Sequence, residues 1–243
     1  MDISYLFFIL LFVVAFLYAS VGHGGASGYL ALMAIFGVAT AVMKPTALLL
    51  NLFVSMVSFI QFYRGGYFKA KLFLPFALAS IPLAFVGGLI HVDASFYKKI
   101  LGLLLLIPIA RFIFFQNIKT QNTKTPNLPL ALLIGAAIGL LSGLIGIGGG
   151  IILSPVLLLL GWANMKEAAA VSALFIFVNS SAGLAGQLTQ GVQFTDQMYA
   201  CVIVAFSGGL FGAYFGALKF KHDVLRYVLS TVLLVAVFKL FLT

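Results

Sequence analysis

Two glycine clusters are the residues of this sequence whose types and spacing could do chemistry. The longer cluster reads GIGGG from Gly146 to Gly150, the shorter reads GHGG from Gly22 to Gly25, and apolar runs flank both. Each glycine costs a helix about 1 kcal/mol relative to alanine, so the clusters predict interrupted helices. An interruption exposes backbone N–H groups and the positive end of the helix that follows, and both attract anions. We therefore predict an anion-binding site between the two clusters.

Other glycines favour a structural explanation. Small residues spaced by four let helices approach closely in a membrane, and this explanation applies to Gly135, Gly139, Gly143, Gly208, Gly212 and Gly216. Close packing also stays open for the two clusters, although packing does not require consecutive glycines.

Short polar side chains near the clusters complete the predicted site. Ser27 and Ser154 could bind a ligand or cap their own helices, and Pro155 is expected near a helix start, where it has no amide to lose. Asparagine inside a span needs a partner, which could be a ligand or another helix. The predicted substrate-binding residues are Gly22, His23, Gly24, Gly25, Ser27, Asn51, Gly146, Gly148, Gly149, Gly150, Ser154, Pro155, Ser172 and Asn179.

His23 is the titratable side chain that we place inside the membrane. It could couple transport to protons, donate a hydrogen bond to a substrate or serve structure, and Ile147 stands at the corresponding position of the second cluster. The carboxylates fall at helix ends or in loops, at Asp2, Asp93, Glu167, Asp196 and Asp223. This distribution disfavours both a carboxylate relay and a cation carrier.

Composition assigns the chain to a membrane. Of its 243 residues, 63% are hydrophobic and 8% are charged, whereas a soluble domain has about 25% charged residues. Three scattered histidines, one cysteine (Cys201) and the lack of a GxxxxGK motif predict no enzyme activity, no metal site and no cofactor. The basic residues are spread over short loops, so we expect no nucleic-acid partner.

Apolar segments indicate an all-α polytopic membrane protein built from two duplicated halves of about five helical elements each. We expect segments at about 3–20, 26–38, 45–63, 72–90 and 96–116, and again at 128–145, 150–161, 167–188, 198–218 and 224–242. With an offset near 124 residues, the first glycine cluster falls on the second. We predict a first repeat at 1–118, a linker at 119–127 and a second repeat at 128–243.

Loop charges select the topology. The runs that follow the glycine clusters are too short to span, since a span needs about 20 residues, so they cross as broken helices or re-enter. Inverted repeats place ten basic residues on one face and four on the other, whereas parallel repeats give an even division. The uneven division fits the positive-inside rule. We therefore expect inverted repeats with both termini outside, in a cell membrane such as the bacterial inner membrane.

The segment GLLSGLIGIGGGIILSPVLLLLG, from Gly139 to Gly161, resembles the TauE/SafE, or sulfite exporter, family, and the resemblance extends over nearly the whole chain. GHGGASG and the stretch from Lys44 to Asn51 form its first-half counterpart. The resemblance implies transport of small sulfur-containing anions such as sulfite, sulfoacetate or related organosulfonates. The resemblance assigns a role in this transport to Gly146, Gly148, Gly149, Gly150 and Pro155, and by duplication to Gly22, Gly24 and Gly25.

The leading hypothesis is a secondary transporter that exports such an anion by alternating access. Its partners are the small anionic substrate and the lipid bilayer, and the sequence allows a homo-oligomer. Two alternatives stay open. One is a membrane scaffold or accessory subunit that uses its glycines for helix packing, and the other is an anion channel.

Overall fold

The computed structural model describes residues 5–20, 24–114, 123–216, 233–235, 237–238 and 240–242, and these residues contain helices but no strand. The helices are α1 Tyr5–Ser20, α2 Ala26–Ile35, α3 Thr40–Arg64, α4 Ala70–Leu89, α5 Ala94–Phe114, α6 Leu128–Ile145, α7 Gly150–Leu159, α8 Met165–Leu188 and α9 Asp196–Gly216. The described residues between 233 and 242 are helical too. The all-α fold class is confirmed.

Four helices within the described ranges, α3, α4, α6 and α8, are long and apolar enough to cross a membrane. The helices α2 and α7, at 10 residues each, are too short to do so. Local sequence explains where the longer helices begin. The Asn127 side chain accepts a hydrogen bond from the Leu130 amide at the start of α6, and Asn164 and Glu167 form a capping box at the start of α8.

Helices α1 and α2 form a hairpin. The Tyr18 and Ser27 hydroxyls lie 2.7 Å apart near the tip, while the rings of Phe7 and Phe36 are 5.3 Å apart at the base. The chain therefore enters and leaves this hairpin at the same end. The hairpin is re-entrant, because α2 returns toward the end at which α1 begins.

Helices α6 and α7 form a second hairpin of the same kind. The amide of Lys124, before α6, donates to the carbonyl of Gly161, after α7, at 2.8 Å. This bond closes the base of the hairpin, and the glycine cluster from Gly146 to Gly150 occupies its tip. The short run after each glycine cluster thus turns back toward the end from which its hairpin entered.

The long helices define two faces of the molecule. The Lys44 face is where α3 begins and α4 ends, because Lys44 Nζ donates to the carbonyls of Gly87 and Gly88 at 3.2 and 3.3 Å. The Lys69 face is where α4 and α8 begin, and there Lys69 forms an ion pair with Glu167. On the Lys69 face Lys166 also donates to the Tyr67 hydroxyl at 2.9 Å.

Glycines set the closest helix contacts, as their spacing predicts. A Cβ atom placed on Gly135, Gly139 or Gly143 of α6 would collide with the backbone of Phe76, Ser80 or Ala84 of α4, in that order. On α9, Gly208 and Gly212 meet the backbone of Phe12 and Phe16 in the same way. The packing role is confirmed for these five glycines, while the surroundings of Gly216 lie outside the described contacts.

The order of these contacts gives the helix directions. Because residue numbers rise together along each pair, α6 runs parallel to α4 and α9 runs parallel to α1. By contrast, α3 and α8 run antiparallel, because Asn51 bonds Ser180 and Leu48 Cδ1 lies 3.5 Å from the Cβ position of Gly183.

Corresponding positions of the two halves share backbone features. Positive φ angles occur at Gly25 and Gly149, at Gly37 and Gly161, and at Gly66 and Gly191, each pair about 124 residues apart. The repeat boundaries at 1–118 and 128–243 stay a prediction. The structure describes residues 123–127 of the predicted 119–127 linker, and they are not helical.

Candidate functional site

Glycines cap the described helix ends at both hairpin tips. Helix α6 ends at Ile145 and α7 begins at Gly150, while Gly24 and Gly25 are non-helical residues before α2. Gly22 and His23 lie outside the described residues. Gly25 and Gly149 cap α2 and α7 with φ values of +77° and +73°, a conformation that glycine adopts without the steric cost of a Cβ atom.

Both tips contact the same side chain, Ile176 of α8. A Cβ atom placed on Gly24 would lie 2.9 Å from Ile176 Cδ1, and one placed on Gly148 would lie 2.9 Å from Ile176 Cγ2. One placed on Gly150 would also collide with Ile176 and would lie 2.7 Å from the Ser172 carbonyl oxygen. Described glycines of both hairpin tips therefore lie against Ile176 inside the protein.

Polar side chains border this meeting point. Asn51 Nδ2 donates to Ser180 Oγ at 3.2 Å across the α3–α8 contact, and a Cβ atom on Gly148 would lie 2.7 Å from the same Nδ2. Ser55 Cβ is 3.6 Å from the Cβ position of Gly24. We call Gly24, Asn51, Ser55, Gly148, Ile176 and Ser180 the central cluster.

The central cluster contains buried polar atoms without partners. Asn51, Ser55 and Ser180 are fully buried, yet Asn51 Oδ1 and Ser55 Oγ make no hydrogen bond. An unsatisfied buried polar group costs roughly 1–3 kcal/mol. Such groups are typical of places where water or a ligand binds.

The other predicted polar residues lie beside the central cluster and bond within the protein. Ser27 pairs with Tyr18, and the hydroxyls of Ser154 and Ser172 are 2.8 Å apart. Ser27 and Ser154 do not cap their own helices, because there is no side-chain capping hydrogen bond at the N-terminus of α2 or of α7. Asn179 Nδ2 donates to the Phe175 carbonyl at 2.8 Å, which leaves its Oδ1 without a partner.

Pro155 differs from the expectation. It was expected near a helix start, but it is the sixth residue of α7. At that position its missing amide leaves the Ile151 carbonyl without its helical donor. The sequence misleads here because α7 begins inside the glycine cluster, at Gly150.

Gly146 and Gly149 support the second tip from outside the central cluster. Gly146 caps α6 and packs against Lys44, whose backbone oxygen would lie 3.0 Å from its Cβ position. Gly149 packs against Ile138 and Phe175. The described candidate residues thus lie along one seam, but they do not all face one point.

Sequence reasoning missed three side chains at this seam. Ile176 separates the tips, Ser142 has a buried hydroxyl without a partner, and Tyr29 has another. Tyr29 turns back toward the start of its own helix, because a Cβ atom on Gly25 would lie 2.5 Å from the Tyr29 hydroxyl. In a sequence that is apolar nearly throughout, no periodic signal distinguishes such residues.

Acidic groups and metal-ligand clusters do not occur at the central cluster. The described part of the chain contains no group of three histidine, cysteine, aspartate or glutamate residues that could hold a metal. Cys201 is free and buried. The described polar groups at the seam are amides, hydroxyls and helix N-termini.

A bundle of apolar helices with two helical hairpins that enter it defines a multi-pass membrane protein. The chain belongs to the sulfite exporter TauE/SafE family, whose model matches residues 7–240. Probable membrane transporter protein y4hK of Sinorhizobium fredii is 37% identical over 94% of each chain. Probable membrane transporter protein YdhB of Bacillus subtilis is 24% identical over 93% of this chain and 94% of its own. No solved structure matches significantly.

Proposed function

We propose that this protein is a secondary transporter, in the exporting direction, for a small anion such as sulfite, sulfoacetate or another organosulfonate. The observation that carries the proposal is the meeting of both glycine tips at Ile176, beside the buried Asn51–Ser180 pair. The family's printed description, sulfite exporter, supports the choice of substrate class.

The donors at the central cluster suit an anion. The first amides of α2 and α7 lack acceptors within their helices, and their dipoles are positive at the tips. The Ser180 hydroxyl can accept from or donate to the Asn51 carboxamide. The Asn51 carboxamide can therefore turn its Nδ2 toward a bound oxyanion while Ser180 donates to its Oδ1.

Helix directions support inverted repeats. If the two halves are inverted copies, the helices at corresponding positions run in opposite directions through the membrane. These pairs are α1 and α6, α3 and α8, and α4 and α9. The parallel contacts of α6 with α4 and of α9 with α1, together with the antiparallel α3–α8 contact, fit this arrangement. Interrupted helices that enter from opposite faces are typical of transporters that alternate access around a central site.

The same arrangement gives an orientation for the cell membrane. The Lys69 face carries the greater share of basic residues and is the cytoplasmic face in our proposal, by the positive-inside rule. Both termini then lie on the opposite, Lys44 face.

Flux into proteoliposomes tests the proposal. We expect saturable uptake of sulfite and sulfoacetate, stimulated by the same anion on the far side, and no uptake of a small cation such as choline. Uptake of the cation but not of the anions would contradict the proposal. Anion flux that is linear in concentration and insensitive to the far side would favour a channel.

A pair of glycine variants separates binding from packing. Gly148→Ala places a Cβ atom against Asn51, whereas Gly37→Ala introduces a similar positive-φ strain, at +70°, with no atom within 4 Å. We expect Gly148→Ala to lose flux while the Gly37→Ala variant keeps it, with both proteins monodisperse in detergent. Loss of monodispersity in Gly148→Ala alone would favour the packing explanation, and undiminished flux in a monodisperse Gly148→Ala protein would contradict a binding role for this glycine.

A further inference from the structure

A cavity opens on the Lys44 face, away from the central cluster. It has a volume of about 170 Å³, well above the roughly 10–15 Å³ that one water needs. Its polar lining residues are Thr40, Lys44, His91, Tyr97, Gln187 and Gln190. Among the described residues that line it there is no carboxylate, so Lys44 supplies the charge.

Two groups in this cavity can donate hydrogen bonds to a ligand. Gln187 is 4% exposed, and its Nε2 has no partner. Lys44 Nζ makes contacts of 3.2, 3.3 and 3.4 Å to the carbonyls of Gly87, Gly88 and Ile90. These contacts are long for N–H···O bonds, so the ammonium group can turn toward a stronger acceptor at little cost.

The cavity adjoins the second hairpin tip. The Tyr97 hydroxyl, in its lining, donates to the Ile145 carbonyl at the end of α6 at 2.8 Å. Gly146 packs against Lys44, with a distance of 3.3 Å from its Cβ position to Lys44 Cγ. Lys44, which supplies the charged group of the cavity, therefore also supports the glycine tip through its contact with Gly146.

We propose that this cavity is a second anion site, in which Lys44 and the Gln187 amide hold a small oxyanion or sulfonate at the Lys44 face. The inference rests on the proposed function for its place in transport, as a station between the aqueous phase and the central cluster. Binding at the cavity itself is testable without any flux.

Amine labelling tests binding directly. N-hydroxysuccinimidyl acetate is added to the purified protein with sodium sulfoacetate or with sodium chloride at equal ionic strength, and acetylation is counted by mass spectrometry. We expect sulfoacetate to lower Lys44 acetylation about tenfold and to leave Lys99 unchanged. Lys99 is exposed on the same face and does not line the cavity. Equal acetylation of Lys44 in the two salts, or no acetylation in either, would overturn the proposal.

The same labelling in the Asn51→Leu variant separates the two sites. Protection of Lys44 that persists in this variant assigns the anion to the cavity. Protection that disappears would overturn the proposal, because the effect would then come from the central cluster. If sulfoacetate protects Lys44 but neither the unmodified protein nor any variant shows anion flux, the proposed function would be wrong and the cavity site would stand.

Kinetics test the place of the cavity in transport. We expect Lys44→Gln to raise the KM for sulfoacetate about tenfold with little change in kcat, because the lost contact captures the anion before the central step. Lys44→Arg, which keeps the charge, and Lys99→Gln should resemble the unmodified protein. A Lys44→Gln variant with an unchanged KM would overturn this role.

Discussion

Single residues at the hairpin tips carry the transport hypothesis, and Gly24 offers a mild way to disturb it. Its Cβ position lies 2.9 Å from Ile176 Cδ1, the far end of a flexible side chain. Gly24→Ala should therefore fold and should reduce anion flux several-fold, because Ile176 must move into the space between the tips. Proteoliposome uptake measures the effect.

Ile176→Val is the matched second change. Valine lacks the Cδ1 atom, so the double variant Gly24→Ala with Ile176→Val should recover part of the lost flux. Ile176→Val alone should cost about 0.5–1.5 kcal/mol of stability. A double variant with less flux than Gly24→Ala alone would show that the contact at Ile176 is not what limits transport.

Asn51 gives a test of charge preference. Asn51→Asp places a carboxylate among buried groups with no cation among the described neighbours, so anion flux should fall by at least a hundredfold, about 2.7 kcal/mol at 1.36 kcal/mol per tenfold. Ser58→Asp on the same helix serves as the control for a buried charge, because Ser58 is also buried and without a partner. Equal losses in the two variants would assign the effect of Asn51→Asp to folding.

Substitutions at close helix contacts should affect stability, whereas substitutions at the binding residues should affect anion flux. Gly143→Ala places a Cβ atom against the Ala84 backbone, which cannot yield as a side-chain end does. We expect a loss of about 1–3 kcal/mol, visible as a lower melting temperature in detergent. Gly209→Ala on α9 is the control, because its nearest neighbour is a Val54 side-chain atom at 3.3 Å. A Gly143→Ala variant as stable as Gly209→Ala would contradict the close α4–α6 packing.

At the scale of elements, the sequence predicts most boundaries and few contacts. Helix α6 has its expected bounds of 128–145, because a polar linker and Gly146 mark both ends. Helix α3 begins five residues earlier than the expected 45, because Pro45 lies inside the helix rather than at its start. Ile176 could not be singled out, since nothing in a uniformly apolar sequence shows which isoleucine faces a glycine tip.

Topology is the prediction at the scale of the whole molecule. In a Cys201→Ser background, Lys71→Cys and Lys99→Cys place single exposed thiols on the Lys69 face and the Lys44 face. We expect a membrane-impermeant maleimide added to intact cells to label Lys99→Cys and not Lys71→Cys. Labelling of both thiols, or of Lys71→Cys alone, would contradict the orientation that the basic residues predict.

The short hairpins have an electrical consequence. A helix of 16 residues such as α1 extends about 24 Å, less than the roughly 30 Å of the hydrocarbon layer. In our proposal the anion bound at the hairpin tips therefore lies within the hydrocarbon layer, where the membrane potential acts on its charge. Movement of one negative charge from the Lys69 face to the Lys44 face would then be coupled to the roughly 2.3 kcal/mol per 100 mV available from the membrane potential.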